Sequence, residues 1–196
     1  MKNGGTGGAN TNKNGLAFEK KTNLADRIKE DLADTYTLKE IYFPNKSTAK
    51  AFEVIRKSNN TKIGILTQQM RFYDVMKQIY DIDNINHKRW KPDEAFFNIE
   101  NNTVYIVEKK WQKTSGSVDE KIFGFVNKRR LYQNNFNQLT NEPKPTVEFC
   151  ALFNSSWWLN GNNGKNMQGY QDYFDNLRID GVKIFFDSYE YWWFGL

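Results

Sequence analysis

Apolar residues recur along this chain at two spacings, and the changes between them mark its elements. From about 16 to 33, Leu24, Ile28 and Leu32 stand four residues apart, which predicts a helix. Phe52 and Ile55 suggest a second helix over 47–57, and a short apolar run predicts a strand over 62–67. Phe72, Val75, Met76 and Ile79, at steps of three and four, make 69–80 an amphipathic helix. The period then falls to two. Ala95, Phe97 and Ile99 alternate with Glu94, Phe96 and Asn98, and Val104 and Ile106 alternate with Thr103, Tyr105 and Val107, as in two strands. Helical spacing returns from 118 to about 134 through Val118, Ile122, Phe125 and Val126. Segments 147–153 and 182–186 read as buried strands, with a helix near 170–177 between them. This alternation predicts an α/β domain with a central mixed β-sheet flanked by helices.

The two period-two strands are separated by Glu100-Asn101-Asn102, and asparagine tolerates the left-handed backbone of a tight hairpin. If the loop holds an even number of residues, Ile99 and Val104 share a face. Asp93, Glu108, Lys110 and Gln112 then gather at the open end of the hairpin, while Glu94 and Lys109 point away. Adjacent carboxylates repel and raise each other's pKa unless a cation sits between them. A hard divalent ion such as magnesium is the natural compensation. The ammonium of Lys110 could then orient or help deprotonate an attacking water and stabilise charge growing on a phosphate. The bland reading is a surface hairpin with a solvated charge cluster.

Composition narrows the chemistry. Lys and Arg number 28 against 23 acids, a net charge of +5, which modestly favours a polyanionic partner. Cys150 is the single cysteine, so an internal disulfide and a multi-cysteine zinc site are excluded. His87 is the single histidine and stands beside Lys88 and Arg89, where positive neighbours disfavour a bound cation. It reads as an exposed linker residue. No run approaches the ~18 apolar residues of a membrane span. The first 14 residues are almost all Gly, Asn, Thr and Lys, without an apolar signal core, so a flexible segment and a cytoplasmic protein are expected. Residues 15–196 are then one domain.

Three further segments invite functional readings. Ser117-Val118-Asp119-Glu120 has the form of a capping box, and Lys128, Arg129 and Arg130 follow on the later turns of its helix. Those three could touch phosphate or simply complement the helix dipole. The stretch 154–168 is long for a loop in a compact domain, and its Asn162, Asn163, Lys165 and Gln168 could read base edges in DNA. The alternative is an ordinary surface loop with Trp157 and Trp158 folded into the core. The aromatic run 189–194 suits core packing or a homodimer contact better than a membrane belt.

Pro92-Asp93, Glu108-Lys109-Lys110, Gln112, the upstream Glu19 in GLAFE and the stretch GSVDEKI at 116–122 together resemble the PD-(D/E)xK nuclease superfamily. Within it they resemble the small type II restriction endonucleases, over roughly residues 15–186. The resemblance implies a restriction-endonuclease-like core and a catalytic set of Asp93, Glu108, Lys110, Glu19 and Gln112. Asp93, Glu108 and Glu19 would hold one or two Mg2+ ions, with Mn2+ able to substitute, and no nucleotide cofactor is implied. The implied partner is double-stranded DNA, cut by a homodimer to 5′-phosphate and 3′-hydroxyl ends. The rival readings are a structure-specific repair or recombination nuclease and a non-catalytic DNA-binding module. Intact Asp93, Glu108 and Lys110 speak against the last.

Overall fold

The computed structural model describes residues 7–44, 47–115, 118–140 and 143–196. The chain opens with helices α1 (Gly7–Lys21) and α2 (Leu24–Asp31). The single helix expected over 16–33 is therefore broken. Asn23 accepts the Asp26 N–H through its side chain at 3.0 Å and so caps a new helix. Helix α1 begins at Gly7 and takes in the second half of the segment expected to be flexible.

Five antiparallel strands follow as a meander: β1 (Tyr36–Glu40), β2 (Ala51–Arg56), β3 (Thr61–Gln68), β4 (Glu94–Asn98) and β5 (Thr103–Lys110). Helix α3 (Arg71–Tyr80) is inserted between β3 and β4. Strand β2 corrects the helix expected over 47–57. The step of three between Phe52 and Ile55 imitates a helical face, but Val54 and Ile55 are β-branched, and Asn60 at φ 54° supplies a hairpin turn into β3. Gly64 on β3 is required by close approach, since a Cβ there would lie 2.3 Å from the carbonyl oxygen of Phe97 on β4.

The sheet changes character at β5. Strands β6 (Thr146–Phe153) and β7 (Val182–Phe186) continue it in parallel, giving seven strands in sequential order. Parallel neighbours need crossovers. The first runs through α4 (Val118–Lys121), a 3-10 turn at Ile122–Gly124 and α5 (Phe125–Phe136). The second runs through α6 (Ser155–Trp158), α7 (Lys165–Gly169) and α8 (Gln171–Ile179), so the expected long loop is folded into short helices. The capping-box Ser117 lies outside the described residues.

Each face of the sheet carries its own core. On one face Phe72, Phe97, Phe136, Phe149, Phe153 and Trp158 join α3, α5, α6 and α8 to the strands. On the other, Leu24, Ile28, Phe96, Val107, Phe185 and Phe194 join α1, α2 and a C-terminal 3-10 turn (Tyr191–Phe194) to the sheet. Trp158 and Phe194 are fully buried and anchor the two aromatic runs in the core, while Trp192 is exposed. The sheet is thus mixed and flanked by helices, as expected. Among the described residues no helix is long and apolar enough to cross a membrane.

Candidate active site at the end of the β4–β5 hairpin

The hairpin register pairs Glu94 with Val107 and Asn98 with Thr103, leaving the four-residue turn 99–102. Asn98 Oδ1 accepts the N–H groups of Glu100 at 3.0 Å and Asn101 at 3.2 Å, and Asn102 takes φ 53°, so asparagines close the turn. An even turn places Asp93, the next residue outward, beside Glu108. The Lys109 backbone N–H donates to Asp93 Oδ2 at 2.7 Å, fixing this carboxylate to the edge of β5.

Three groups converge there. Lys110 Nζ donates to Glu108 Oε2 at 3.1 Å and to the Lys109 carbonyl at 2.9 Å, and it lies 3.9 Å from Asp93 Oδ2. Glu108 is buried, with 3% of its side chain exposed, whereas Asp93 keeps 30% and Lys110 17%. From α5, Lys128 Nζ reaches within 2.9 Å of Glu108 Oε1, without the alignment of a hydrogen bond. One buried carboxylate therefore faces two ammonium groups.

Burial pushes the Asp93 carboxyl above its ordinary value; Lys110 opposes this and Glu108 adds to it. Burial acts to lower the Lys110 pKa, but attraction from Glu108 and Asp93 outweighs it, so the ammonium is held more firmly than in free lysine. Glu19 is exposed on α1 and lines a cleft of about 330 Å³ with Asp93, Asn23, Gln68 and Gln69. Lost hydration, followed by repulsion from Asp93, raises its carboxyl as well. Glu19 and Asp93 thus line the same cleft.

Gln112 is placed differently. Its side-chain amide donates to the Thr114 carbonyl at 2.8 Å and to Asp119 Oδ1 at 2.7 Å, and the second Asp119 oxygen accepts from the Tyr170 hydroxyl at 3.0 Å. Its backbone is clasped by Asn154, which accepts its N–H at 2.7 Å and donates to its carbonyl at 2.9 Å. Gln112 therefore joins the ends of β5 and β6 to α4 and α8.

The other sequence-derived residues divide. Lys128 belongs to the site itself. Arg129 is spent on the fold, donating to the carbonyls of Val147 at 3.0 Å and Asp180 at 3.3 Å, while Arg130 is exposed. Asn162, Asn163, Lys165 and Gln168 are all exposed between α6 and the end of α7, away from the hairpin in sequence. His87 is exposed and Cys150 is buried, as free thiol. Sequence reasoning missed the Lys128–Glu108 contact, Trp90 beneath Lys128 at 5.7 Å from the ring centroid, and Tyr132, whose buried hydroxyl has no hydrogen-bond partner. A helical periodicity through α5 carries Lys128 and Tyr132 four residues apart on one face, which was the available signal.

Among the described residues no group of three or more His, Cys, Asp or Glu is drawn together as a ready metal cage. Asp93 and Glu108 still suit a hard cation, which is commonly held by one or two carboxylates with water completing its shell. Glu108 Oε1, buried without an aligned donor, has acceptor capacity to spare. The model of a PD-(D/E)XK nuclease superfamily domain matches residues 24–141, a span that includes Asp93, Glu108, Lys110 and Lys128 and leaves out Glu19. No curated protein matches, and no solved structure matches.

Proposed function

The chain belongs to the PD-(D/E)XK nuclease superfamily, and on that premise we propose that it is a magnesium-dependent endonuclease that cuts double-stranded DNA at specific sites, as type II restriction enzymes do. The observation that carries this reading is the meeting of Asp93, Glu108 and Lys110 at the open end of the hairpin, with Lys110 3.1 Å from Glu108 and 3.9 Å from Asp93. Nucleases of this superfamily generally use divalent metal ions. Held on Asp93 and Glu108 with Glu19 beside them, such an ion would polarise the scissile phosphoryl group and lower the pKa of an attacking water.

The protein's own groups do the rest. Lys110 enters as an ammonium, because its two carboxylate neighbours raise its pKa. It orients the water by hydrogen bonding and stabilises negative charge growing on the phosphate, a contribution that is largest in a site shielded from solvent. Water attacks phosphorus in line with the departing 3′ oxygen, which leaves a 5′-phosphate and a 3′-hydroxyl. Lys128 offers a second cation at the same carboxylate and would be free to pair with a phosphate if a metal took its place there. The exposed set Asn162, Asn163, Lys165 and Gln168 supports a recognition role. Asn162, Asn163 and Gly164 take positive φ in succession, at 53°, 55° and 83°, the kind of strain that clusters at functional segments. A homodimer in the cytoplasm, cutting both strands of a symmetric site, completes the reading.

The test is a plasmid digest in Mg2+ with the ends sequenced. Discrete fragments sharing one end sequence are expected. Nicks, smears or cuts confined to branched DNA would replace the restriction reading with a structure-specific nuclease. No cleavage of any DNA in Mg2+ or Mn2+ would overturn the enzyme reading.

A further inference from the structure

We propose that Glu94 and Lys109, which lie behind the site on the opposite face of the hairpin, are positioning residues. Their buried ion pair clamps the corner between α1 and α2 and thereby holds Glu19 against Asp93. This rests on the reading of Asp93, Glu108 and Lys110 given above.

The two charges are 2.6 Å apart, with 5% and 2% of their side chains exposed. A buried ion pair is poor value for stability alone, since an apolar pair of the same shape often does as well. What these charges hold is therefore informative. Lys109 Nζ donates to the carbonyls of Glu19 at 3.2 Å and Thr22 at 2.9 Å, the unsatisfied acceptors at the end of α1. Glu94 accepts the N–H of Leu24, the first residue of α2, at 3.0 and 3.2 Å. A cation at one helix's C-terminus and an anion at the next helix's N-terminus both complement the helix dipoles. Tyr189 closes the corner, donating to the Thr22 carbonyl at 2.9 Å with its oxygen 3.5 Å from Glu94 Oε2.

Lys109 is the shared point. Its backbone N–H fixes Asp93 at 2.7 Å on one face, while its ammonium fixes the Glu19 main chain on the other. One residue therefore sets the relation between two of the carboxylates assigned to the metal. Glu19 stands on α1, which is tied to the strands at this corner and through the buried Phe18.

The experiment compares the full chain with Glu94→Gln/Lys109→Met, in which neither charge is left buried alone. Hydrogen exchange is expected to rise several-fold at residues 18–24 and to stay unchanged in β4, β5 and α5. Cleavage at saturating DNA is expected to fall by about 10- to 100-fold, the usual cost of losing an outer-shell partner. Adding Glu19→Gln to this variant should cost less than twofold more, against about tenfold in the natural background. Natural exchange at 18–24, a natural cleavage rate, or an equal cost of Glu19→Gln in both backgrounds would each overturn the clamp. If the natural chain cuts no DNA, the nuclease reading fails while the exchange data still decide the clamp. If the double variant does not fold, Glu94→Gln alone, which keeps an acceptor for Leu24, is read in the same way.

Discussion

The β4–β5 hairpin carries an acid–lysine pairing on each face, and the two have opposite characters. Glu94 and Lys109 are sealed at 2.6 Å, and backbone groups from the α1–α2 corner take up both charges. One residue away in each strand, Asp93 and Lys110 stand 3.9 Å apart, partly open to solvent, around a Glu108 that faces two ammonium groups. The residue types are the same. The difference lies in what surrounds them: a helix corner satisfies one face with main-chain groups, while on the other two carboxylates and two ammonium groups share one cluster and Glu108 Oε1 has no aligned donor. Satisfied charge holds a structure in place, and unsatisfied charge is available for chemistry.

The comparison breaks most severely at the sealed face. Glu94→Ala leaves Lys109 buried without its partner and is expected to cost about 3–5 kcal/mol in denaturant unfolding. A loss below about 1 kcal/mol would mean that water reaches Lys109 and that the two faces are alike.

The open face should respond in the other direction. Because the folded Asp93 carboxyl is raised, its ionised form penalises the folded state fully above that raised value, and the penalty vanishes as pH falls below the unfolded value of about 4. Asp93→Asn can still accept from the Lys109 N–H, so it is expected to raise Tm by a few degrees at pH 7 while abolishing cleavage. The gain should shrink as pH is lowered toward the ordinary carboxylate range. Thermal unfolding across that range checks both the sign and the window.

How legible these faces were differs for physical reasons. Period two is local, and three asparagines and a glutamate around a turn make the hairpin register readable, so the separation of Asp93, Glu108 and Lys110 from Glu94 and Lys109 follows from counting. The partners of the second pair did not. They are main-chain carbonyls of Glu19 and Thr22, some ninety residues away in sequence, brought in by packing of α1. Lys128 was equally hidden, because its approach to Glu108 depends on where the β5–β6 crossover lays α5. Strand β2 was misread since Phe52 and Ile55 satisfy a helical step, and the Asn59-Asn60 turn that ends the strand carried the better signal. The mixed sheet was legible from the alternation of elements, and its strand order was not.

The smallest effect concerns the exposed segment 162–168, which is far from both faces in sequence. Alanine at Asn162, Asn163, Lys165 and Gln168 together is expected to leave stability within about 0.5 kcal/mol, as for exposed positions generally. Sequence preference in cleavage should relax at the same time. Fragment mapping with an unchanged site preference would remove these residues from recognition.

On the proposed reading, the open face, and Lys110 in particular, performs the hydrolysis. Plasmid cleavage by Lys110→Ala in Mg2+, read beside DNA binding in Ca2+, tests it most directly. The expected result is a rate lower by about 100- to 1,000-fold, the usual loss on removing one charge-stabilising donor, with binding retained. Cleavage at the natural rate would contradict it.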